Sequence, residues 1–232
     1  MAKRIALIGG TSGIGAAARE QWQHAGHELH IACRQPDLLA AQGLHAQHFD
    51  AMAPSPLQWP EKLDGLVYCP GTITLKPFHR LSSEDFARDL QVNLLGAIHV
   101  LQSALPALKA SGSASVVLFS TIAVAQGMPF HASIAAAKGA VEGLARSLAA
   151  EWAPLIRVNV IAPSLTDTTL ASPLLSDETK RAAAAKRHPL QQIGDPRDVV
   201  ALMDFLLSDQ SRFLTGQILR PDGGLSSVRL FS

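Results

Sequence analysis

The chain has 232 residues, 47% of them hydrophobic and 17% charged. That is enough to bury one core without disulfide or metal support. Lys and Arg number 20 against 19 Asp and Glu, a formal charge of +1, which excludes a nucleic-acid binder that relies on a strongly basic face. Two cysteines, Cys33 and Cys69, are too few for a secreted scaffold and too scattered for a zinc site. Both read as buried small apolar residues.

In chain order, Met1-Ala2-Lys3-Arg4 leads into an apolar run too short for a signal peptide, which breaks into Gly9-Gly10. It reads as a first strand at 4–8. Further strands are expected at 29–33, 66–69, 115–119, 158–161 and 218–219, mostly continuous apolar runs, as parallel strands covered on both faces require. Helices are expected at 13–25, 83–108, 132–153, 177–187 and 196–207. Ser82 or Ser83 suits the cap of the second, and Asp195-Pro196 with Asp198 opens the last. Pro54, Pro56 and Pro60 make residues 51–60 a poor helix. Alternating strands and helices without a linker predict one doubly wound α/β domain over residues 1–232, a parallel sheet of about six to seven strands with helices on both faces. No apolar run reaches the length of about 18 residues that a membrane span needs, so a cytoplasmic protein is expected.

The first strand runs into Gly9-Gly10-Thr11-Ser12-Gly13-Ile14-Gly15, followed by a helix. A sharp strand-to-helix turn gathers free backbone N–H groups at the positive end of a helix dipole, and glycines let a pyrophosphate approach the backbone. The spacing is G-x-x-x-G-x-G. A tight turn that binds nothing is the plain alternative.

Here the sequence resembles the short-chain dehydrogenase/reductase family, whose fingerprint Thr-Gly-x-x-x-Gly-Ile-Gly is matched by Gly9, Gly13, Ile14 and Gly15, with Ile8 for the threonine. The resemblance runs through nearly the whole chain. Asp50 falls where the family has an aspartate at the adenine. Gly71 alone survives from the family's Asn-Asn-Ala-Gly, and Asn93 matches the Asn of its fourth helix. Pro163-Ser164-Leu165-Thr166-Asp167-Thr168 is similar to the family's Pro-Gly-x-x-x-Thr, with serine for glycine; Thr215-Gly216-Gln217 and Asp222-Gly223-Gly224 resemble its last strand and flank. The resemblance implies a Rossmann-type fold with the substrate site at the C-terminal ends of the strands. It also implies a nicotinamide dinucleotide held by Gly9, Thr11, Ser12, Gly13, Ile14, Gly15, Asp50, Gly71, Lys138, Pro163 and Thr168. The intervals from Arg34 to Asp50 and from Asp50 to Gly71 are short for the family, so its second and third crossover helices are expected to be trimmed or missing.

Cofactor choice is read at the end of the second strand, Ile31-Ala32-Cys33-Arg34-Gln35. An acid there would accept from a ribose 2′-hydroxyl, whereas a 2′-phosphate needs cations. Cys33 stands where NAD-using members place aspartate, and Arg34 where NADP-using members place arginine. NADP(H) is the cofactor expected, although the family's second basic residue is replaced by Ser12.

In the family a tyrosine and a lysine, spaced i and i+4 on one helix face, work with a serine 13 residues before the tyrosine. By position, Lys138 is retained, Thr121 replaces the serine, Asn93 is kept, and Ile134 stands in the tyrosine's place. The chain's single tyrosine is Tyr68. Thr121 still offers a hydroxyl, but Ile134 offers no proton, and positioned acid–base catalysis is worth about 10²–10⁴-fold. Three replacements present themselves. His131 supplies an imidazole just before the helix. Ser133 is rotated about 100° from Ile134. The third is a water held by Lys138 and Asn93.

Two readings follow. One is an NADP(H)-dependent oxidoreductase of a carbonyl/alcohol pair with an altered proton donor, using Asn93, Thr121, Lys138 and His131. The other is an NADP(H)-binding protein without turnover, a regulatory or assembly partner. Residues 168–190 are expected to form the substrate cleft, and their basic half could receive an acidic substrate or form a solvated face. The family's helices at Asn93 and Lys138 pack against partner subunits, which implies a homodimer or homotetramer. A small-molecule substrate is expected; nucleic acid, membrane and metal sites are not, since His24, His27, His30, His45, His48 and His99 lack metal spacing.

Overall fold

A computed structural model describes residues 2–230. Seven parallel strands form one sheet in the order β3-β2-β1-β4-β5-β6-β7. They are β1 (Arg4–Ile8), β2 (Glu28–Cys33), β3 (Ala46–His48), β4 (Gly65–Tyr68), β5 (Ala114–Phe119), β6 (Ile156–Ile161) and β7 (Ile218–Leu219). The central strands are largely apolar on both faces because alternate side chains enter two different cores. Ile5 and Leu7 of β1 pack with Ala18 and Trp22 of α1 (Gly13–His24) and Val199, Met203 and Leu206 of α8 (Pro196–Leu207). Ala6 and Ile8 face the opposite layer, built from α4 (Gly96–Ser111) and α6 (Ala132–Trp152). The single doubly wound α/β domain expected from the sequence is the fold observed.

The helix expected over 83–108 is three pieces. α3 (Ser83–Leu90) opens on a Ser82–Asp85 capping box, a π-turn spans Gln91–Leu95, and α4 follows. The π-turn leaves the Val92 carbonyl to accept from the Tyr68 hydroxyl at 2.7 Å. The second crossover helix is reduced to α2 (Asp37–Ala40), and none lies between β3 and β4. There the prolines forbid a helix, and the Gln47 side chain pairs with the backbone of Gln58 in both directions, at 2.6 and 2.7 Å. Strand β3 was not anticipated, since Ala46-Gln47-His48 carries no β-branched or aromatic residue. α5 (Ala123–Gln126) and α7 (Glu178–Lys186) complete the set, α7 being capped by Asp177.

Candidate active site

Every loop that leaves a C-terminal strand end on the α6 side opens onto one cavity of about 910 Å³. From the glycine turn after β1, Ile14 reaches its wall. Gly9 and Gly13 sit at φ +88° and +53°, a region that favours glycine, and a side chain at Gly15 would collide with the Gly9 carbonyl. Ser12 starts α1 in extended backbone without using its side chain as a cap, and the first turn carries no acid. The helix N-terminus therefore keeps its N–H groups and positive dipole end for an anion. Thr168, whose hydroxyl caps the turn at Thr169–Leu174 through the Ala171 N–H, lies against Gly13 and ties the loop after β6 to the glycine turn.

Gly71 packs between two groups of the site. A Cβ on it would lie 3.2 Å from Asn93 Oδ1 and 3.7 Å from Lys138 Nζ. Asn93 donates to Thr72 Oγ1 and to the Asp89 carbonyl, both at 2.8 Å, while its buried Oδ1 accepts nothing among the described residues. Lys138 is buried and donates to the Phe119 carbonyl at 3.0 Å. Burial lowers its ammonium pKa to about 8, against the opposing pull of Cys69 and Asp89. The orphaned Asn93 oxygen, the Gly71 cradle and the anion-ready glycine turn suit a nicotinamide dinucleotide.

Thr121 lines the cavity, and its oxygen accepts from the Ala123 N–H at 3.3 Å, which leaves its proton for another acceptor. Ile134 is 3% exposed and lies on the cavity wall one turn before Lys138. His131 is half-buried at the rim, its Nδ1 2.7 Å from the Pro129 carbonyl. Pro163 accepts from the Ile122 N–H at 3.3 Å, which joins its loop to that of Thr121. The turn at Thr169–Leu174 and α7 form the far wall within residues 168–190. Arg34 lies apart, exposed beyond β2, and Asp50 is half-buried with Oδ1 accepting from the Met52 N–H at 2.9 Å.

Two sequence readings change. Cys69 is only half-buried and lines the cavity, because β4 ends at Tyr68; burial pushes its thiol up to about 12. Ser133 faces away from the chemistry: its hydroxyl is buried, lacks a partner among the described residues and does not line the cavity. Four residues went unnoticed as site components. Asp89 is fully buried and accepts from Thr72 and Thr74. Arg19, 6% exposed, faces Cys33 and has an unpartnered Nε. Ser164 and His188 both line the cavity, their side chains 2.9 Å apart. The one signal available was serine at a position where the family has glycine.

A parallel sheet with a glycine turn, an open helix N-terminus and a cleft at its strand ends defines a dinucleotide-binding domain. Residues 9–226 match the family model described as "Enoyl-(Acyl carrier protein) reductase". A tropinone reductase homologue of Arabidopsis thaliana is 36% identical over 239 residues, covering 95% of this chain and 91% of that protein. The ligand-free aldohexose dehydrogenase of Thermoplasma acidophilum superposes with a TM-score of 0.88 at 27% identity, covering 100% and 96% of the two chains. ElxO with NADP bound gives 0.83 at 25% identity, covering 98% and 100%. The chain belongs to the short-chain dehydrogenase/reductase family of nicotinamide-dinucleotide oxidoreductases. No helix among the described residues is long and apolar enough to cross a membrane.

Proposed function

We propose that the chain is an NADP(H)-dependent oxidoreductase acting on a carbonyl/alcohol pair, with a proton donor other than tyrosine. The observation that carries this reading is a single cavity lined by Ile14 at the end of the glycine turn, Thr121, Lys138, Pro163 and Thr168, with Asn93 just behind Gly71. Preference for the 2′-phosphate rests on Arg34, which no acid pairs among the described residues, and on Arg19 beside Cys33. NADP in the similar ElxO structure supports it.

Bound dinucleotide supplies or accepts the hydride. Thr121 donates its hydroxyl hydrogen to the substrate oxygen and fixes the carbonyl's orientation. Lys138 holds a positive charge in a dry wall of the cavity, where it stabilises developing negative charge and binds a ribose hydroxyl. Asn93 anchors the π-turn beside it. His131 and a water held by Lys138 and Asn93 are the proton sources that the sequence provides. Much of the wall is apolar, with Ile73, Ile122, Phe130, Leu170 and Leu174, so a substrate seated on it displaces water from the reacting bond. The second reading, nucleotide binding without turnover, draws on Ile134, which removes the family's acid. We further propose a homodimer or homotetramer working in the cytoplasm on a small molecule.

The test is a fluorescence titration with both dinucleotides. NADPH is expected to bind at least tenfold more tightly than NADH, and Arg34→Asp to reverse the order. Equal affinity in the wild type defeats the NADP assignment.

A further inference from the structure

Ser164 stands half-buried on the cavity wall, and its Oγ lies 2.9 Å from His188 Nε2. Behind it, His188 is 2% exposed. The ring's other nitrogen, Nδ1, is 3.0 Å from the Ala184 carbonyl in α7. A carbonyl only accepts, so Nδ1 carries a hydrogen and Nε2 is left to exchange a proton with Ser164. The ring is fixed from a second side by Gly223, at φ +58°, on which a Cβ would come within 3.3 Å of His188 Cβ. Next to that glycine is Asp222, a buried carboxylate that accepts from the Gly224 and Ser226 N–H groups at 2.8 and 3.0 Å and from the Ser226 hydroxyl. No hydrogen bond among the described residues joins it to the ring. From core to cavity the order is imidazole, then hydroxyl. Ser164 also follows Pro163, whose carbonyl is bonded to the residue after Thr121. A hydroxyl backed by an imidazole therefore opens into the same cavity as Thr121, Ile134 and Lys138.

We propose that Ser164, backed by His188, exchanges the proton with the substrate oxygen and so fills the role vacated at Ile134. The proposal rests on the oxidoreductase reading and deepens it. In the reducing direction, Ser164 O–H breaks and its proton forms the new alcohol O–H. The carbonyl carbon takes a hydride, with its electron pair, from reduced nicotinamide dinucleotide, which leaves oxidised. Protonated His188 gives its Nε2 proton to Ser164 Oγ and ends neutral. In the oxidising direction neutral His188 receives the proton that Ser164 takes from the alcohol. His131, bound at the rim to the Pro129 carbonyl, has no comparable partner chain.

The test combines kinetics with NMR. NADPH oxidation is followed with 4-nitrobenzaldehyde, cyclohexanone and ethyl acetoacetate, for the wild type and for Ser164→Ala, His188→Gln and His131→Ala. Ser164→Ala and His188→Gln are each expected to lower kcat by about 10²–10⁴-fold. NADPH affinity, from fluorescence, should stay within about threefold. Independently of turnover, ¹⁵N NMR of the wild type should find neutral His188 protonated on Nδ1, with an Nε2 resonance that moves in Ser164→Ala. Protonation on Nε2 alone, a kcat unchanged in Ser164→Ala, or a loss confined to His131→Ala overturns the proposal and leaves the oxidoreductase reading standing. Silence of the wild type across all three carbonyls, with NADPH still bound, defeats that reading and the proposal with it.

Discussion

Lys138 holds a charge in a place that disfavours it. The residue is 7% exposed, and among the described residues its ammonium has one hydrogen-bond acceptor, the Phe119 carbonyl. Burial brings its pKa down to about 8, with Cys69 and Asp89 pulling the other way. The protonated form dominates below that value and is lost above it, so binding that depends on the cation should weaken as pH rises. NADPH affinity is expected to be level near pH 7 and to fall up to about tenfold per unit above pH 8. Lys138→Met should bind more weakly with a flat profile. A titration series from pH 7 to 9.5 checks this, and an unchanged slope in the variant would assign the effect to another group. Neighbouring Cys69 stays a neutral thiol through that range, since its own pKa is pushed up to about 12 by burial.

Among the elements, α8 is the one most fully specified by local chemistry. Asp195 accepts from the Arg197 N–H at 2.8 Å, Asp198 returns a carboxylate to the Asp195 N–H at 3.3 Å, and Pro196 occupies the first turn. Its inner face carries Val199, Val200, Met203 and Leu206 into the core. Asp195→Ala removes the half of the cap made by the Asp195 carboxylate and leaves the bond from the residue-195 N–H to Asp198 in place. It should cost about 1 kcal/mol, which for a domain of this size lowers Tm by roughly 2–4 °C, readable by circular dichroism. No shift would mean that packing alone holds the helix. The break in the helix at Gln91–Leu95 is set differently. Gly96 abuts the Tyr68 hydroxyl and Ala51, and the Gln91 side chain donates to the Ala51 carbonyl at 2.8 Å. Those contacts are long-range in sequence, so periodicity over 83–108 reads one uninterrupted helix.

For the molecule as a whole, the sheet was legible because six of its strands announce themselves as apolar runs between turn residues. Ala46–His48 is held in place by its neighbour β2 rather than by its own composition. The glycine turn after β1 was legible too, because glycines with positive φ leave a fixed spacing. The Ser164–His188 pair was not: its partners are 24 residues apart and meet only because α7 folds back over the cavity. Position 134 was readable as an absence, and the structure gives it a location on the wall.

That absence has a practical side. Tyr68 is the only phenol in the chain; it lies 2% exposed between β4 and the π-turn, and burial, with Asp50 and Cys69 nearby, raises its pKa well above the ordinary phenol value. In alkaline solution the native protein keeps it neutral, and the unfolded chain does not, so stability declines once pH passes about 10. The phenolate absorbance band should therefore rise in step with loss of the circular dichroism signal; a band that grows while the fold persists would contradict the buried placement. With isoleucine at position 134, no second phenol blurs the signal. The protein carries its own optical gauge of unfolding, built into the layer beneath its active site.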